Sequence, residues 1–457
     1  MAHERDRLRR AQLSATADTA SQRAKKKRAT QAVSIDPFGP LDRDSLLQLQ
    51  RTAGNLAVSE HLSGQVVQRY EAGEHVQFGD LTDKPKDKYL VSGVWLTYGQ
   101  MIAMGDFFET PQEMKAAPRK VIEKLRDLID KDKSDPGKAV TNQEWQDATM
   151  DLPAGHRYLD MAAKNAAHFA PGPAVTPKGE PPADHYEAWK TFHFQALDLA
   201  REGKRSEAME TNAFADHFLT DAFSAGHLFN KADVAAKSKK SFEALPLEGR
   251  YGMRTNDFTD RVGAAIMADP KAAVLKDYEI DVGRAMDDWQ EVTAHNLSQI
   301  VSAVSWKKEG YFYSLFVRIL HDRLNRDITH RYGGLEVENN IGDKWRLSGD
   351  ETLKYSEDTL EIGRRAVAQS QANVTSVIGS KDKPNYEALA KKVWDFTPHP
   401  TEAGKKKIDT FEGQLTDASQ EATAKEFAAV VVDNFDTLID QLVHEEKRLR
   451  KKTPVKK

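Results

Sequence analysis

In the segment His217-Phe-Leu-Thr-Asp-Ala-Phe-Ser-Ala-Gly-His227, the residues His217, Asp221 and His227 have the types and spacing most suited to chemistry. On a helix, residues four apart share a face, so the His217 imidazole and the Asp221 carboxylate can converge on one cation. Gly226 permits a break, and a change of chain direction there returns His227 towards the first two residues or towards an adjacent metal. A His followed by a carboxylate four residues on arises about twice by chance in a chain with 14 His and 70 acidic residues. A further His at the right offset lowers that expectation to about 0.1. The competing assignment gives His217 a packing or capping role and leaves Asp221 and His227 to local hydrogen bonds. The chain has no Cys, so thiol catalysis and disulfides are excluded, and a metal must be held by His, Asp, Glu or backbone groups.

These residues need a scaffold, and the hydrophobic pattern supplies a helical one. Apolar residues recur at three- and four-residue spacing over Met114 to Ile129, Tyr186 to Ala200, Ala208 to Phe223, Val282 to Val304 and Tyr311 to Ile328, which predicts a packed bundle. Tyr89 to Trp95 reads as a strand or an extended entry to the domain. Leu335 to Leu347 alternates around Asn-Asn-Ile-Gly-Asp and predicts a surface β-hairpin, with helix resuming near Leu353. Ala170 to Pro182 carries too many helix breakers for regular structure, which leaves His168 at the mouth of a loop.

The fold expected is therefore mainly α, a helical bundle with a small β-hairpin insertion and a disordered N-terminal arm. Residues 1–65 form the basic arm and an amphipathic leader helix around Leu46 to Leu62, residues 66–380 the helical domain, and residues 381–457 an accessory helical segment. That last segment includes a helix from Phe427 to Leu449 and a basic tail. The arm, with Lys25-Lys26-Lys27-Arg28 and few large apolar groups, buries too little to offset the entropy of ordering. A formal charge of -4 gives no global attraction to polyanions. No apolar run approaches the ~18 residues of a membrane span, and the N-terminus lacks the apolar core of a secretory signal.

The stretch Asn212 to His227 resembles the H-x3-D-x5-H segment of zinc-dependent phospholipase C and related single-strand nucleases. That resemblance implies zinc as cofactor and phosphodiester hydrolysis of phospholipid or single-stranded nucleic acid. It also implies a ligand about fifty residues upstream, where His168 lies, and an upstream carboxylate, for which Asp106 is the candidate as ligand or as base. Asp106 or His156 is available to accept the proton from water, with helix-end roles as the alternatives. His193, on the helix between, is read as a packing or supporting residue. A later family motif pairs a His with a carboxylate four residues on. Here His321 and Asp322 are retained as candidate ligands, but Asn325 occupies that offset, a departure that bears on a second metal. The secreted phospholipases also use an N-terminal Trp amine as ligand, which the long arm precludes without cleavage.

A second resemblance covers Leu47 to Val58 and Val67 to His75, which look like the leaders of proteins associated with bacterial extracellular contractile injection systems. It implies a toxin or effector cargo that contacts tube or cap components of the particle. Such a protein is expected in the bacterial cytoplasm before loading and afterwards outside the cell or inside a target cell. Glu71, Glu74 and His75 in this stretch read as polar surface residues, with reach to a metal as the less favoured alternative. The alternative function is a non-catalytic accessory or structural protein of the same particle.

Overall fold

A computed structural model describes residues 72–81, 87–134, 140–153, 165–172, 184–248, 255–281, 289–307, 309–326, 334–347, 356–432 and 449–452, with isolated residues 156, 158, 161, 349 and 353. The chain divides into two compact units, Met1–Thr52 and Ala53–Lys457, and every described residue belongs to the second. The expected arm and leader helix, with Glu71, lie outside the described residues.

The described chain is mainly helical, with three small antiparallel sheets. It opens with α1 (Ala72–Gly79), the hairpin β1 (Lys88–Val91) and β2 (Val94–Thr97), and α2 (Tyr98–Met104). Ser92 and Gly93 both have positive φ, 48° and 79°, the turn whose twist suits paired strands, so the expected strand is two strands. Thr97 ends β2 and caps α2 through a capping box with Gln100, which fixes where the following turn, Gly105–Phe107, places Asp106.

Next come α3 (Pro111–Ala116), α4 (Arg119–Ser134) and α5 (Asn142–Thr149). The periodicity over Met114 to Ile129 thus covers two helices. Ala117, before Pro118, is extended at ψ 147°, as the proline ring requires of its predecessor. The antiparallel pair α6 (His185–Arg201) and α7 (Arg205–Asp221) follows, with Gly203 at φ 80° in the reversal. Every residue of α7 from Ala208 to Asp221 is buried, yet half of that stretch is polar: Glu210, Thr211, Asn212, Asp216, His217, Thr220 and Asp221. A helix enclosed on all sides normally carries apolar residues, because each buried polar group needs a partner. The exception marks α7 as the functional element.

The remaining elements are α8 (Lys231–Glu243), α9 (Asp257–Ala268), β3 (Tyr278–Asp281), β4 (Trp289–Glu291), α10 (Ala294–Lys307) and α11 (Glu309–Arg326). They continue with β5 (Leu335–Glu338), β6 (Lys344–Leu347), α12 (Glu357–Ser376), α13 (Tyr386–Trp394), β7 (His399–Pro400), α14 (Glu402–Leu415), α15 (Glu421–Val432) and β8 (Leu449–Lys451). The hairpin β5–β6 forms as expected, pairing Leu335 with Leu347 and Val337 with Trp345, and these four side chains face the core.

Two helical expectations change. Within Val282 to Val304 the described chain holds a strand, β4, paired with β3 before α10 begins. Of Phe427 to Leu449, only the part up to Val432 is described as helix, and Leu449 begins a strand on β3. Nor are residues beyond 380 an accessory layer. Trp394 packs its ring against His185, Tyr186 and Trp189, β7 pairs with β5, and Phe427 joins Phe258, Phe312 and Phe316 in one aromatic cluster. Their high charge density sits on the outer faces of helices whose inner stripes complete the core. No helix among the described residues is long and apolar enough to cross a membrane.

Candidate metal centre

Five separate segments deliver imidazoles and carboxylates to one buried place. Helix α1 carries His75, the turn after α2 carries Asp106, and the short turn Ala166–His168 carries His168. The end of α7 supplies His217 and Asp221, and the turn Ala225–His227 returns His227. All six are buried. The turn that brings His227 back is fixed by Asn325 of α11, whose Oδ1 accepts the Gly226 N–H at 2.7 Å, and by the Ala170 N–H, which donates to the His227 carbonyl at 2.9 Å.

The distances suit a shared cation. His168 Nδ1 is 2.8 Å from Asp221 Oδ2 and 3.1 Å from His217 Nε2, and His217 Nε2 is 3.5 Å from Asp221 Oδ2 and 3.8 Å from Asp106 Oδ1. Ligands about 2.0–2.1 Å from a tetrahedral zinc are roughly 3.3 Å from one another, so these contacts match the edges of such a site. The opposite oxygens face a second group of donors. His75 Nε2 is 3.8 Å from Asp106 Oδ2 and 3.7 Å from Asp221 Oδ1, which is also 3.7 Å from His227 Nδ1. Both carboxylates therefore offer one oxygen to each group, the arrangement of bridging ligands between two neighbouring positions. With neutral imidazoles, the pair carries two formal negative charges, which a divalent cation offsets in this low-dielectric setting.

Hydrogen-bond accounting assigns the ring protons. Thr220 Oγ1 lies 2.9 Å from the Asp216 carbonyl and 2.8 Å from that of His217, so its single proton goes to the backbone. It must then accept from His75 Nδ1, 2.7 Å away, which leaves the Nε2 lone pair of His75 turned to the carboxylates. His227 Nδ1 likewise donates to the His168 carbonyl at 2.8 Å, so its 3.7 Å approach to Asp221 Oδ1 is not a ligand spacing, and Nε2 is the nitrogen of this ring that could take a cation. A ring held through its other nitrogen in this way is the usual support of a metal-binding histidine. The donor set, all nitrogen and oxygen, fits zinc.

The other expected residues fall differently. His321 is buried with its ring 5.1 Å from that of His227, at the margin of the cluster. Asp322 stays outside it: its oxygens pair with Arg318 at 2.8 Å and with His321 Nδ1 at 3.1 Å, so it orients His321. Asn325 is engaged with the backbone of the His227 turn, and its Nδ2 faces the His321 ring at 3.3 Å. His156 does not join the buried residues; it is half-exposed beside Glu113, 3.7 Å away, where it and Glu109 form a separate surface group. His193 is a packing residue, stacked on Trp189 and hydrogen-bonded to Asn212 at 2.5 Å.

The residue the sequence reading misplaced is His75, which is fully buried rather than on the surface. Glu74 beside it is buried too, accepting the Leu353 N–H at 2.8 Å, and the Gly73 N–H donates to Asp132. Those anchors lie 279 and 59 residues away, so no local signal announces them.

Close approach explains one glycine. A Cβ on Gly105 would overlap the imidazole Cγ of His217 and lie 2.6 Å from its Cβ. Gly105→Ala is expected to push His217 out of place, costing about 1–3 kcal/mol in denaturant unfolding through overpacking. It should also lower the affinity of the cluster for an added divalent metal ion; wild-type values of both would refute the contact. No family model, curated protein or solved structure matches this chain.

Proposed function

We propose that this protein is a zinc-dependent phosphodiester hydrolase of phospholipase C or nuclease type, carried as a toxin or effector by a bacterial contractile injection particle. The observation that carries the reading is the convergence of His75, Asp106, His168, His217 and Asp221 with donor spacings suited to zinc, and of His227 beside them, from five segments. Bound there, zinc would supply an acidified water and a Lewis acid for the phosphoryl oxygen. The protein's part is to orient that cation through His75 and His227, whose tautomers are set by Thr220 and the His168 carbonyl. Asp106, whose two oxygens face His217 and His75, would serve as a ligand, and the half-exposed His156 lies outside the cluster.

Metal analysis of the purified chain, followed by hydrolysis of phosphatidylcholine vesicles and single-stranded DNA with and without chelator, tests the reading. Co-purifying zinc and turnover that chelator abolishes and zinc restores are expected, and the preferred substrate assigns the class. Fusion of residues 1–65 to a reporter, scored for packaging into particles, tests the cargo assignment.

A second reading, a particle component with a structural metal, draws on two observations. The donors are nearly closed off, with 0–6% exposure, and Asn325 stands where a further carboxylate ligand would be. Structural zinc sites are closed, whereas catalytic ones keep an open position. Zinc binding without turnover on either substrate would favour it.

A further inference from the structure

One residue before His217, the Asp216 side chain sits in a second polar centre, built from four helices; only its backbone carbonyl touches the metal cluster's network, through Thr220. Its Oδ1 accepts from Trp189 Nε1 at 3.1 Å and Ser370 Oγ at 2.6 Å, and its Oδ2 from the Tyr98 hydroxyl at 2.7 Å, with Asn212 Nδ2 3.3 Å from Oδ2. Asn212 Nδ2 also faces Tyr98 at 2.7 Å and Ser370 at 2.9 Å, while its Oδ1 takes the proton of His193 Nδ1. The directions leave little freedom. An indole nitrogen only donates, and once the Asn212 amide donates to the two hydroxyls, their protons must go to Asp216. Three protons, those of Trp189, Tyr98 and Ser370, therefore point at this carboxylate, while that of His193 goes to Asn212; three donors on one carboxylate is the pattern that holds an anion. No cationic side chain pairs with it among the described residues, and all six groups are buried.

A lone buried carboxylate is costly, and an apolar replacement would ordinarily stabilise a core better. The charge has a use only if something of opposite sign lies near, and the neighbouring residue is the centre of the cation site. We propose that Asp216 is a positioning residue for that site, a fixed anion behind α7 whose charge strengthens cation binding by His217 and Asp221 without touching the metal. The inference rests on the metal-binding reading above. In a low-dielectric interior a fixed charge acts over a longer range than in water, so no direct contact is needed.

The test uses the full chain at pH 8 and measures zinc affinity by competition with a chromophoric chelator, beside the unfolding temperature of the chelated protein. Asp216→Asn, which keeps the size and removes the charge, is expected to bind zinc about 10- to 100-fold more weakly, the range typical when an outer partner of a metal site is lost. His193→Phe removes an outer member of the network and leaves every donor to Asp216 in place; its unfolding temperature should fall while zinc affinity stays within about threefold of wild type. A purely structural role would lower the unfolding temperature in both variants and leave the affinities alike. Wild-type affinity in Asp216→Asn overturns the proposal. So does a tenfold loss in His193→Phe, which decides the matter even if Asp216→Asn does not fold. A wild-type protein that binds no zinc would sink the metal reading itself, a result distinct from either.

Discussion

Asp221→Asn is expected to strip the cluster of its metal while leaving the helical core folded. Asp221, like Asp106, has an oxygen in each group of donors, Oδ2 at 2.8 Å from His168 Nδ1 and Oδ1 at 3.7 Å from His75 Nε2. Asparagine keeps the volume but offers one weaker oxygen and no charge. Loss of outer partners alone lowers metal affinity about 10- to 100-fold, so loss of a bridging ligand should exceed about 100-fold. Removal of a buried charge should also leave the chelated protein at least as stable as wild type. Zinc content after gel filtration and the denaturant midpoint in chelator check both halves. A variant that retains stoichiometric zinc would show that the six residues do not share a cation.

The second large effect is a response to acid, read on the chelated protein. Burial holds the His185 imidazole far below its ordinary 6.5, at about 3, and nearby His227 pushes the same way. Burial also holds His193 at about 4, against a hydrogen bond to Asn212 that pulls upward. The unfolded chain binds these protons near 6.5, whereas the folded chain refuses them until much lower pH. Between those limits the unfolded state holds more protons, so stability is lost as pH falls; for His185 the whole window is worth roughly 5 kcal/mol.

Asp216 acts oppositely. Burial pushes its carboxyl up to about 7, against hydrogen bonds from Ser370, Tyr98 and Trp189 that pull it down. The folded state therefore takes this proton first, and stability is gained as pH falls from about 7 towards 3.8. Because the two slopes partly cancel, a single-residue comparison is the sensitive one. Neither ring nitrogen of His185 has a hydrogen-bond partner among the described residues, and Trp394 packs 5.5 Å from it, so His185→Phe gives up no hydrogen bond. Relative to wild type, the variant should gain roughly 3 kcal/mol in denaturant unfolding between pH 8 and pH 4. An equal difference at both pH values would mean that His185 ionises inside the fold.

The parts of the site legible in the chain were those set by local geometry. His217 and Asp221 are one helical turn apart, and the break at Gly226 permits the return of His227; both follow from helix periodicity. His168 came from a resemblance over forty-nine residues, and the structure seats it 2.8 Å from Asp221. His75 was illegible because Glu-Ala-Gly-Glu-His looks like a solvated surface, and what buries it is far along the chain. Asp322 was misread for a related reason: adjacent helix residues diverge in direction, so His321 points to the cluster while Asp322 turns to Arg318.

By itself, then, the order of residues determined a mainly helical fold, the β5–β6 hairpin and the pairing of His217 with Asp221. Each of these depends on neighbours a few positions apart, where spacing alone dictates which side chains share a face. Tertiary structure alone decided that His75 and Asp106 meet that pair, that Asp216 is buried among the donors Trp189, Tyr98 and Ser370, and that residues beyond 380 complete the core. A hydrophobic stripe or a lone imidazole specifies that it must be covered or satisfied, but the partner is chosen only when distant segments pack.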